Sequence, residues 1–409
     1  MLSCQAHQFS LDRSIHYLNC AYMSPLPISV EEAGIKGILG KRNPHLVSTS
    51  DFFGTAGSVR SLFAQLINAP EASSISLLPA VSYGIAVAAK NVPVQPGQNI
   101  VMVHEQFPSN VYTWTKLAAD RQLSVRMVAP DSFTPDAHTS NASASNASAS
   151  NATTSKTTNK SVAWTNAILE SIDSDTAIVA LPTVHWTDGT LLDLVKIGQR
   201  TREVGAYLIV DGTQSVGALP FDVGLVRPDA LIVAGYKWMM GPYSCGVAYW
   251  GERLLGGEPL EENWINRLNS ENFAGLVDYE ERYQPGAVRF DVGEKSNFIL
   301  LPMLEAALQL LLEWKPFRVQ TYLSELVSPW VQQIRDLGFE LADESSRGAH
   351  LFGIMLPAKM DPMKLKSDLD SKSVSVSVRG KAIRVAPHVY NDHEDMAAFV
   401  DALKHSIAK

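Results

Sequence analysis

The first 250 residues alternate short apolar runs with longer segments that have one apolar face. Six runs of strand length lie at residues 74–79, 99–104, 124–129, 176–182, 206–211 and 230–235. Segments with apolar residues at helical spacing lie beside them, at residues 58–68, 82–92, 111–122 and 191–205. A strand that is apolar along its whole length is typical of a parallel sheet, because helices cover both faces of such a sheet. The sequence therefore predicts an α/β fold with a mostly parallel, helix-covered sheet.

Two neighbouring runs lead into residues with reactive side chains. The run YLIVD ends at Asp211, and ALIVAGYK ends at Lys237, 26 residues further on. Ligands of parallel sheets bind at the carboxyl ends of the strands, so we expect both side chains to face one crevice. Either residue alone has an ordinary explanation, because aspartate often occupies turns and most lysines lie in solvent. The pair, together with Gln214 and the Gly-Pro turn after the lysine, is more specific.

A buried lysine loses its proton readily and forms a Schiff base with a carbonyl group. Pyridoxal phosphate needs such a lysine, and it also needs an acid that pairs with its pyridinium nitrogen. The order of Asp211 and Lys237 fits both requirements. The sequence therefore predicts a pyridoxal 5′-phosphate enzyme with Lys237 and Asp211 as its catalytic residues.

The segments DGTQ and YKWMMGPYSCG resemble the cofactor region of the class V aminotransferase family, whose members have fold type I of the pyridoxal phosphate enzymes. The family pattern is D-x-x-Q followed by S-x-H-K-x-x-G-P-x-G-x-G. Ala234 stands at the usual serine and Tyr236 at the usual histidine. A Tyr-Lys pair resembles kynureninase-like and isopenicillin N epimerase-like members rather than cysteine desulfurases.

The resemblance implies where the cofactor phosphate binds. Val81 and Ser82 match the two positions that hold the phosphate at the start of a helix, where free backbone N–H groups favour anions. Val81 offers only its N–H, and Ser82 has an alternative role as a simple helix cap. The hydroxyl of Tyr236 is a further candidate donor, which offsets the missing serine at Ala234.

The resemblance also implies contacts to the cofactor ring. Phe107, in the segment FPSN, matches the position of the ring that stacks on the cofactor. Trp186 replaces an asparagine that often touches the phenolic oxygen, and Gln214 is the better candidate for that contact. Ordinary core packing stays open as the alternative for both aromatic residues.

Three further segments carry the substrate and subunit predictions. Arg384, in KAIRVAPHVYN, matches the arginine that binds the α-carboxylate, for which a guanidinium offers two parallel donors. Asn19, in YLNCAYMSPLP, would approach the substrate. The segment RFDVGEKSNF resembles one that reaches the phosphate in a partner subunit, so the resemblance implies a homodimer. Glu294 replaces the usual threonine there, which leaves Gly293 or Ser296 to make the contact.

The motifs leave the fate of the α-carbanion open. Aminotransferase chemistry on an amino acid, with a keto acid as a candidate co-substrate, is our first prediction, and epimerase or β-lyase chemistry (kynureninase-like or C–S lyase) is the alternative. Cysteine desulfurases carry a catalytic cysteine before the C-terminal arginine, and residues 374–385 contain none. A non-catalytic binding module would require loss of Lys237 or an added DNA-binding region, and the sequence shows neither.

The chain is predicted to form two domains. Residues 30–255 form the large pyridoxal phosphate-binding domain, and residues 256–409 with 1–29 form a small α+β domain, which ends in a helix capped by Asn391 or Asp392. The large domain carries an insert at about residues 136–161. Because the insert repeats small polar residues and cannot bury a core, we expect it to be disordered.

Composition excludes several classes of partner. The net charge of −8 argues against nucleic acid and against anionic membranes. The sequence contains no run of about 18 apolar residues, so we expect no membrane span. The three cysteines have neither metal-binding nor disulfide spacing, and the N-terminus lacks the apolar core of a signal peptide, so we expect no metal and a cytoplasmic location.

Overall fold

The computed structural model describes residues 2–130, 159–357 and 360–407. The strands are β1 (His16–Tyr17), β2 (Ile75–Leu78), β3 (Asn99–Val103), β4 (Ser124–Val128), β5 (Thr176–Pro182), β6 (Tyr207–Asp211), β7 (Ala230–Ala234), β8 (Gly246–Trp250), β9 (Glu340–Leu341), β10 (Phe352–Met355), β11 (Val374–Ser375), β12 (Ser377–Arg379) and β13 (Ala382–Val385). The helices are α1 (Ile28–Gly40), α2 (Thr49–Leu66), α3 (Val81–Asn91), α4 (Tyr112–Arg121), α5 (Lys160–Ser171), α6 (Leu194–Glu203), α7 (Val223–Val226), α8 (Glu252–Leu255), α9 (Leu300–Trp314), α10 (Pro316–Asp336), α11 (Pro362–Asp370) and α12 (His393–Ile407). Short 3-10 helices lie at Ala6–Gln8, Pro44–Leu46, Ala72–Ser74, Pro108–Asn110, Phe273–Gly275, Gly286–Phe290 and Glu344–Ser346.

A seven-stranded sheet forms the centre of the molecule, in the order β2-β8-β7-β6-β5-β3-β4. All six apolar runs became strands of this sheet, and the neighbours from β7 to β4 are parallel. Strand β8 is antiparallel to both β2 and β7, so six strands share one direction. The α/β prediction is confirmed. The sequence analysis did not identify β8, which returns directly after the turn that follows Lys237.

A second sheet is antiparallel, in the order β12-β13-β10-β9, and β1 pairs separately with β11. Residues 373–378, in which serine and valine alternate, do not form one strand, because β11 ends at Ser375 and β12 begins at Ser377. The chain pairs with β1 up to Ser375 and then with β13 from Ser377. The alternation of serine and valine in the sequence continues where the partner strand changes from β1 to β13, so the sequence pattern does not reveal the change.

Helix α9 packs against α1 and α2. Close approach of the backbones requires glycine, since a Cβ on Gly37 would lie 2.3 Å from the carbonyl oxygen of Phe298. This packing joins the start of the chain to residues assigned by sequence to the small domain. The boundaries at 30–255 and 256–409 stay a prediction.

Two helix starts bear on the sequence analysis. The cap of α12 is confirmed at Asp392, whose Oδ1 accepts from the N–H groups of Glu394 and Asp395. The insert predicted at about residues 136–161 falls mostly outside the described residues and stays a prediction. Helix α5 already begins at Lys160, because the side chain of Asn159 accepts from the backbone N–H of Val162. Among the described residues, no helix is both long and apolar enough to cross a bilayer.

Candidate active site

The carboxyl ends of β6 and β7 open onto a cavity of about 280 Å³. The two strands are adjacent and parallel, so Asp211 at the end of β6 lies beside the chain that leads from β7 to Lys237. All eight residues predicted to bind the cofactor line this one cavity: Val81, Ser82, Phe107, Trp186, Asp211, Gln214, Tyr236 and Lys237. The structure therefore brings together side chains from five separate segments of the sequence.

Lys237 is almost completely buried, with 6% of its surface exposed. Its Nζ lies 5.3 Å from the ring centre of Phe107 and 5.5 Å from that of Tyr236. Burial lowers the pKa of Lys237 to about 8, and the positive charge of Arg384 adds to this effect while Asp211 opposes it. A lysine with such a pKa is partly neutral near pH 8 and can act as a nucleophile or base.

Asp211 is also buried, and burial raises the pKa of its carboxyl group. Hydrogen bonds from Thr213 and the charge of Lys237 oppose that change and favour the carboxylate form. The N–H of Thr213 donates to Oδ1 of Asp211 at 3.0 Å. The hydroxyl of Thr213 accepts from the N–H of Ala234 at 3.2 Å, so this residue ties the end of β6 to the end of β7.

Helix α3 begins at the cavity wall. Its N-cap is Ala80, which offers no side-chain cap, and Val81 and Ser82 form its first turn. The first N–H groups of a helix have no acceptor within the helix and attract anions. This helix start, with the hydroxyl groups of Ser82 and Tyr236 in the lining, fits the phosphate of the predicted cofactor.

Two aromatic side chains form one wall. The rings of Phe107 and Trp186 meet edge to face, with centres 5.4 Å apart. The indole N–H of Trp186 donates to the carbonyl of Glu105 at 2.6 Å, which directs it away from a cofactor role. Trp186 therefore presents ring surface rather than the polar contact that asparagine makes in the family.

Gln214 is held firmly in place. Its Nε2 donates to the carbonyl of Ala21 at 3.2 Å, and its Oε1 accepts from the indole N–H of Trp238 at 3.1 Å. An amide nitrogen has two N–H groups, so one remains for the predicted contact with the phenolic oxygen.

Some residues of the lining were missed by the sequence analysis. Polar examples are Gln106, Ser109, Thr213 and Ser244. Gln106, Ser109 and Thr213 lie within two residues of a predicted contact, and Ser244 lies in the turn that follows Lys237, so proximity to a motif was the available signal. Cys245 also lines the cavity, and burial raises the pKa of its thiol to about 12.

The two predicted substrate residues lie outside the lining. Arg384, in β13, is 1% exposed, and its Nη1 donates to the carbonyl of Trp186 at 3.0 Å. Its guanidinium carbon lies 5.9 Å from the centre of the Trp186 ring, so it is next to a residue of the cavity lining. The side chain of Asn19 accepts a hydrogen bond from the hydroxyl of Ser377 at 2.8 Å.

The groups suggested for a partner subunit's phosphate have partners within this chain. The N–H of Gly293 donates to the carboxylate of Glu261. The hydroxyl of Ser296 donates to the backbone carbonyl of Phe52. A contact to a partner subunit from either group requires one of these bonds to break.

Comparison with known proteins places the chain in a family. The sequence profile described as aminotransferase class-V matches residues 133–402, well over half of the chain. The chain belongs to the class V aminotransferase family. It is an enzyme that uses pyridoxal 5′-phosphate, as predicted.

Several known relatives are distant but match most of the chain. An uncharacterized aminotransferase of Bacillus subtilis is 24% identical over 84% of this chain and 82% of its own. An apo cysteine desulfurase of Thermococcus onnurineus has a TM-score of 0.80 at 18% identity, with both chains covered completely. The cystine C–S lyase C-DES, solved as a lysine variant with glycine covalently linked to its cofactor, also gives 0.80 at 18%, covering 98% of each chain. These structures confirm fold type I.

Proposed function

We propose that this enzyme removes the α-proton of an amino acid and transfers the amino group to a keto acid. The observation that carries the proposal is the single cavity shared by Lys237, Asp211 and the start of α3. When bound, pyridoxal phosphate withdraws electrons from the α-carbon of an attached amino acid. The residues around the cavity supply what that chemistry needs.

Each residue has a role that follows from its surroundings. Lys237 holds the cofactor, and after its release its Nζ takes the α-proton, for which its lowered pKa suits it. Asp211, oriented by Thr213, holds a proton on the ring nitrogen. The N–H groups of Val81 and Ser82 bind the phosphate.

The remaining residues of the site position the reactants and keep water out. Phe107 and Trp186 cover one side of the cavity with apolar rings. Gln214 donates its free N–H to the phenolic oxygen, and the Tyr236 hydroxyl adds a donor for the phosphate. Arg384 binds the α-carboxylate, and Asn19 approaches it once its bond to Ser377 yields.

Transamination is preferred because the B. subtilis relative, which matches most of this chain, is described as an aminotransferase. Epimerase or β-lyase activity is the alternative, and the likeness to a C–S lyase favours the second of these. Desulfurase chemistry needs a reactive thiol, whereas the pKa of the cavity thiol of Cys245 is raised by burial. The Tyr-Lys pair likewise supports kynureninase-like or epimerase-like members.

A product analysis tests the proposal. Purified holoenzyme is incubated with single amino acids, with and without a keto acid, and keto acid, inverted enantiomer and ammonia are measured. Transamination predicts a new keto acid that requires the acceptor. Ammonia released without an acceptor would favour the lyase, and inversion alone would favour the epimerase. Borohydride reduction followed by peptide mapping should label Lys237, and a label on another lysine would contradict its role.

We also propose a homodimer in the cytoplasm. Apolar side chains are exposed on α1 and in the segment after α8, among them Ile38 at 57% and Tyr279 at 94%. Contiguous exposed apolar surface is typical of subunit interfaces. All three cysteines are free, which suits a reducing compartment.

A further inference from the structure

A second arginine lies beside Arg384. Strands β12 and β13 are antiparallel, with Ser377 opposite Arg384 and Arg379 opposite Ala382. Residues opposite each other in a sheet, and residues two apart in a strand, project from the same face. Arg379 and Arg384 therefore project from one face as diagonal neighbours, a spacing that long side chains bridge.

Both guanidinium groups meet the same aromatic ring. The guanidinium carbon of Arg379 lies 5.2 Å from the ring centre of Trp186, and that of Arg384 lies 5.9 Å from it. Trp186 lines the cofactor cavity. Both positive charges therefore lie against a ring that lines the site, although neither arginine is itself part of the lining.

Neither charge is neutralised by a carboxylate among the described residues. Within residues 2–130, 159–357 and 360–407, neither guanidinium is paired with an aspartate or a glutamate. In the same part of the chain, Nε of Arg379, and Nε and Nη2 of Arg384, are buried without a hydrogen-bond partner. Buried donors and unpaired charges are costly, and burial lowers the pKa of both side chains.

An α-carboxylate satisfies only one of these two forks. A guanidinium binds one carboxylate with two parallel hydrogen bonds, so a second guanidinium at this wall calls for a second anionic group. We infer that the substrate is an amino acid with an acidic side chain, with Arg384 binding the α-carboxylate and Arg379 binding the side-chain anion. This inference rests on the proposed function.

Arg379 is suited to selecting a side chain rather than to chemistry. It is half-buried, whereas Arg384 is almost completely buried, so it lies nearer to solvent at the same wall. One terminal nitrogen of Arg379 donates to the carbonyl of Val378 at 2.6 Å, which fixes the orientation of the guanidinium group. A substrate that extends from Arg384 along the ring of Trp186 reaches Arg379 with its far end.

Binding to the holoenzyme tests the inference without turnover. Calorimetry compares succinate with butyrate, and glutarate with valerate, because each pair matches in chain length and differs in one carboxylate. We expect the better dicarboxylate to bind at least about tenfold tighter than its partner, since a hydrogen bond to a charged group contributes that much affinity. Equal binding within both pairs would overturn the inference.

Variants assign the preference to Arg379. Arg379→Gln should reduce the ratio within each pair to about one, and Arg379→Lys, which keeps the charge, should retain part of it. Arg384→Gln should weaken both members of a pair. Arg121→Gln, the same change at an exposed position at the end of α4, should keep the wild-type ratio. A ratio that survives in Arg379→Gln would also overturn the inference.

Failure of the proposed function looks different. Aspartate and glutamate are compared with asparagine and glutamine in the product analysis. A holoenzyme that produces keto acid equally from acids and amides supports the proposed function and refutes the acidic substrate. A holoenzyme that binds dicarboxylates tightly and forms no keto acid supports the role of Arg379 and refutes transamination.

Discussion

Burial changes the pKa values of Lys237 and Asp211 in opposite directions, and both changes favour the neutral form. The pKa of Lys237 falls to about 8, and that of Asp211 rises. A neutral lysine is what a nucleophile requires. Hydrogen bonds from Thr213 oppose the effect of burial on Asp211 and favour its carboxylate form. Lys237 and Asp211 are buried to a similar extent, yet the hydrogen bonds from Thr213 support the charged form of Asp211.

Uptake of cofactor by the apoenzyme should follow the neutral fraction of Lys237. Because its pKa is lowered, the proton is lost as the pH rises through about 8 rather than near 10.4, the value of an ordinary lysine. The rate of pyridoxal phosphate uptake should therefore rise with a midpoint near pH 8, measured by absorbance. Arg384→Met should move that midpoint upward, since it removes a neighbouring positive charge. A midpoint near 10 in the wild type would contradict the role of burial.

Asp211→Asn should separate binding from turnover. The amide keeps the size of the carboxylate and loses the charge that faces the ring nitrogen. Turnover should fall by about a hundredfold or more, as when other preorganised electrostatic groups are removed. Cofactor content, measured by absorbance, should change much less. Wild-type turnover in this variant would show that Asp211 does not act on the ring.

At the scale of elements, the loop after β6 depends on a close approach to the segment after Lys237. Gly217 has a φ of +108°, and a Cβ there would lie 2.2 Å from the carbonyl oxygen of Trp238. A side chain at this position would push against the residue next to the cofactor lysine. The backbone next to Lys237 is therefore held in position by its close contact with Gly217.

Gly217→Ala should lower both stability and cofactor occupancy. The clash and the positive φ together should cost more than about 1 kcal/mol of unfolding free energy. Gly205→Ala is the matched control, because Gly205 has a φ of +78° and open space around its Cβ. Denaturant unfolding should show a larger loss for Gly217→Ala, and only that variant should bind less pyridoxal phosphate. Equal losses of stability and of bound cofactor in the two variants would contradict a specific role for the contact between Gly217 and Trp238.

The parallel sheet could be predicted from sequence because its strands are apolar along their whole length. Lys237 and Asp211 could be placed together for the same reason, as both follow such strands. The phosphate-binding role of the start of α3 could be predicted only from the resemblance to a family. Arg379 was not identified, because a single arginine in a strand does not indicate a binding site. Its importance depends on the register of β12 against β13 and on the ring of Trp186, and only the folded chain shows these.

At the scale of the whole molecule, the Ser/Asn/Ala/Thr-rich residues 140–154 lie outside the described residues. Their composition offers no apolar face, so we expect the fold to do without them. Replacing residues 140–154 with a short Gly/Ser linker should leave cofactor content, activity and melting temperature within error of the wild type. Asn159 stays in place in this variant, because it caps α5 and donates to Ser345 at 2.9 Å. A large loss of activity would reveal a role for the repeat.

The subunit prediction concerns the exposed apolar side chains. Sedimentation should show a dimer, and Ile38→Glu should weaken it because a charge in an apolar interface is costly. Val162→Glu is the control, since Val162 is 49% exposed on α5. A wild-type monomer at micromolar concentration would contradict the proposed homodimer.

The position of β8 between β2 and β7 affects the order in which parts of this protein can fold. Strand β2 belongs to the early part of the chain, yet among the described strands it pairs with β8 alone, with Leu78 opposite Gly246. A nascent chain that has not yet produced Trp250 leaves β2 without a hydrogen-bonded edge to join. The helix start that follows β2 is then not positioned against Lys237. Because this pairing joins residues far apart in the sequence, we expect the two halves of the site to meet late in folding, after the lysine itself has been synthesised.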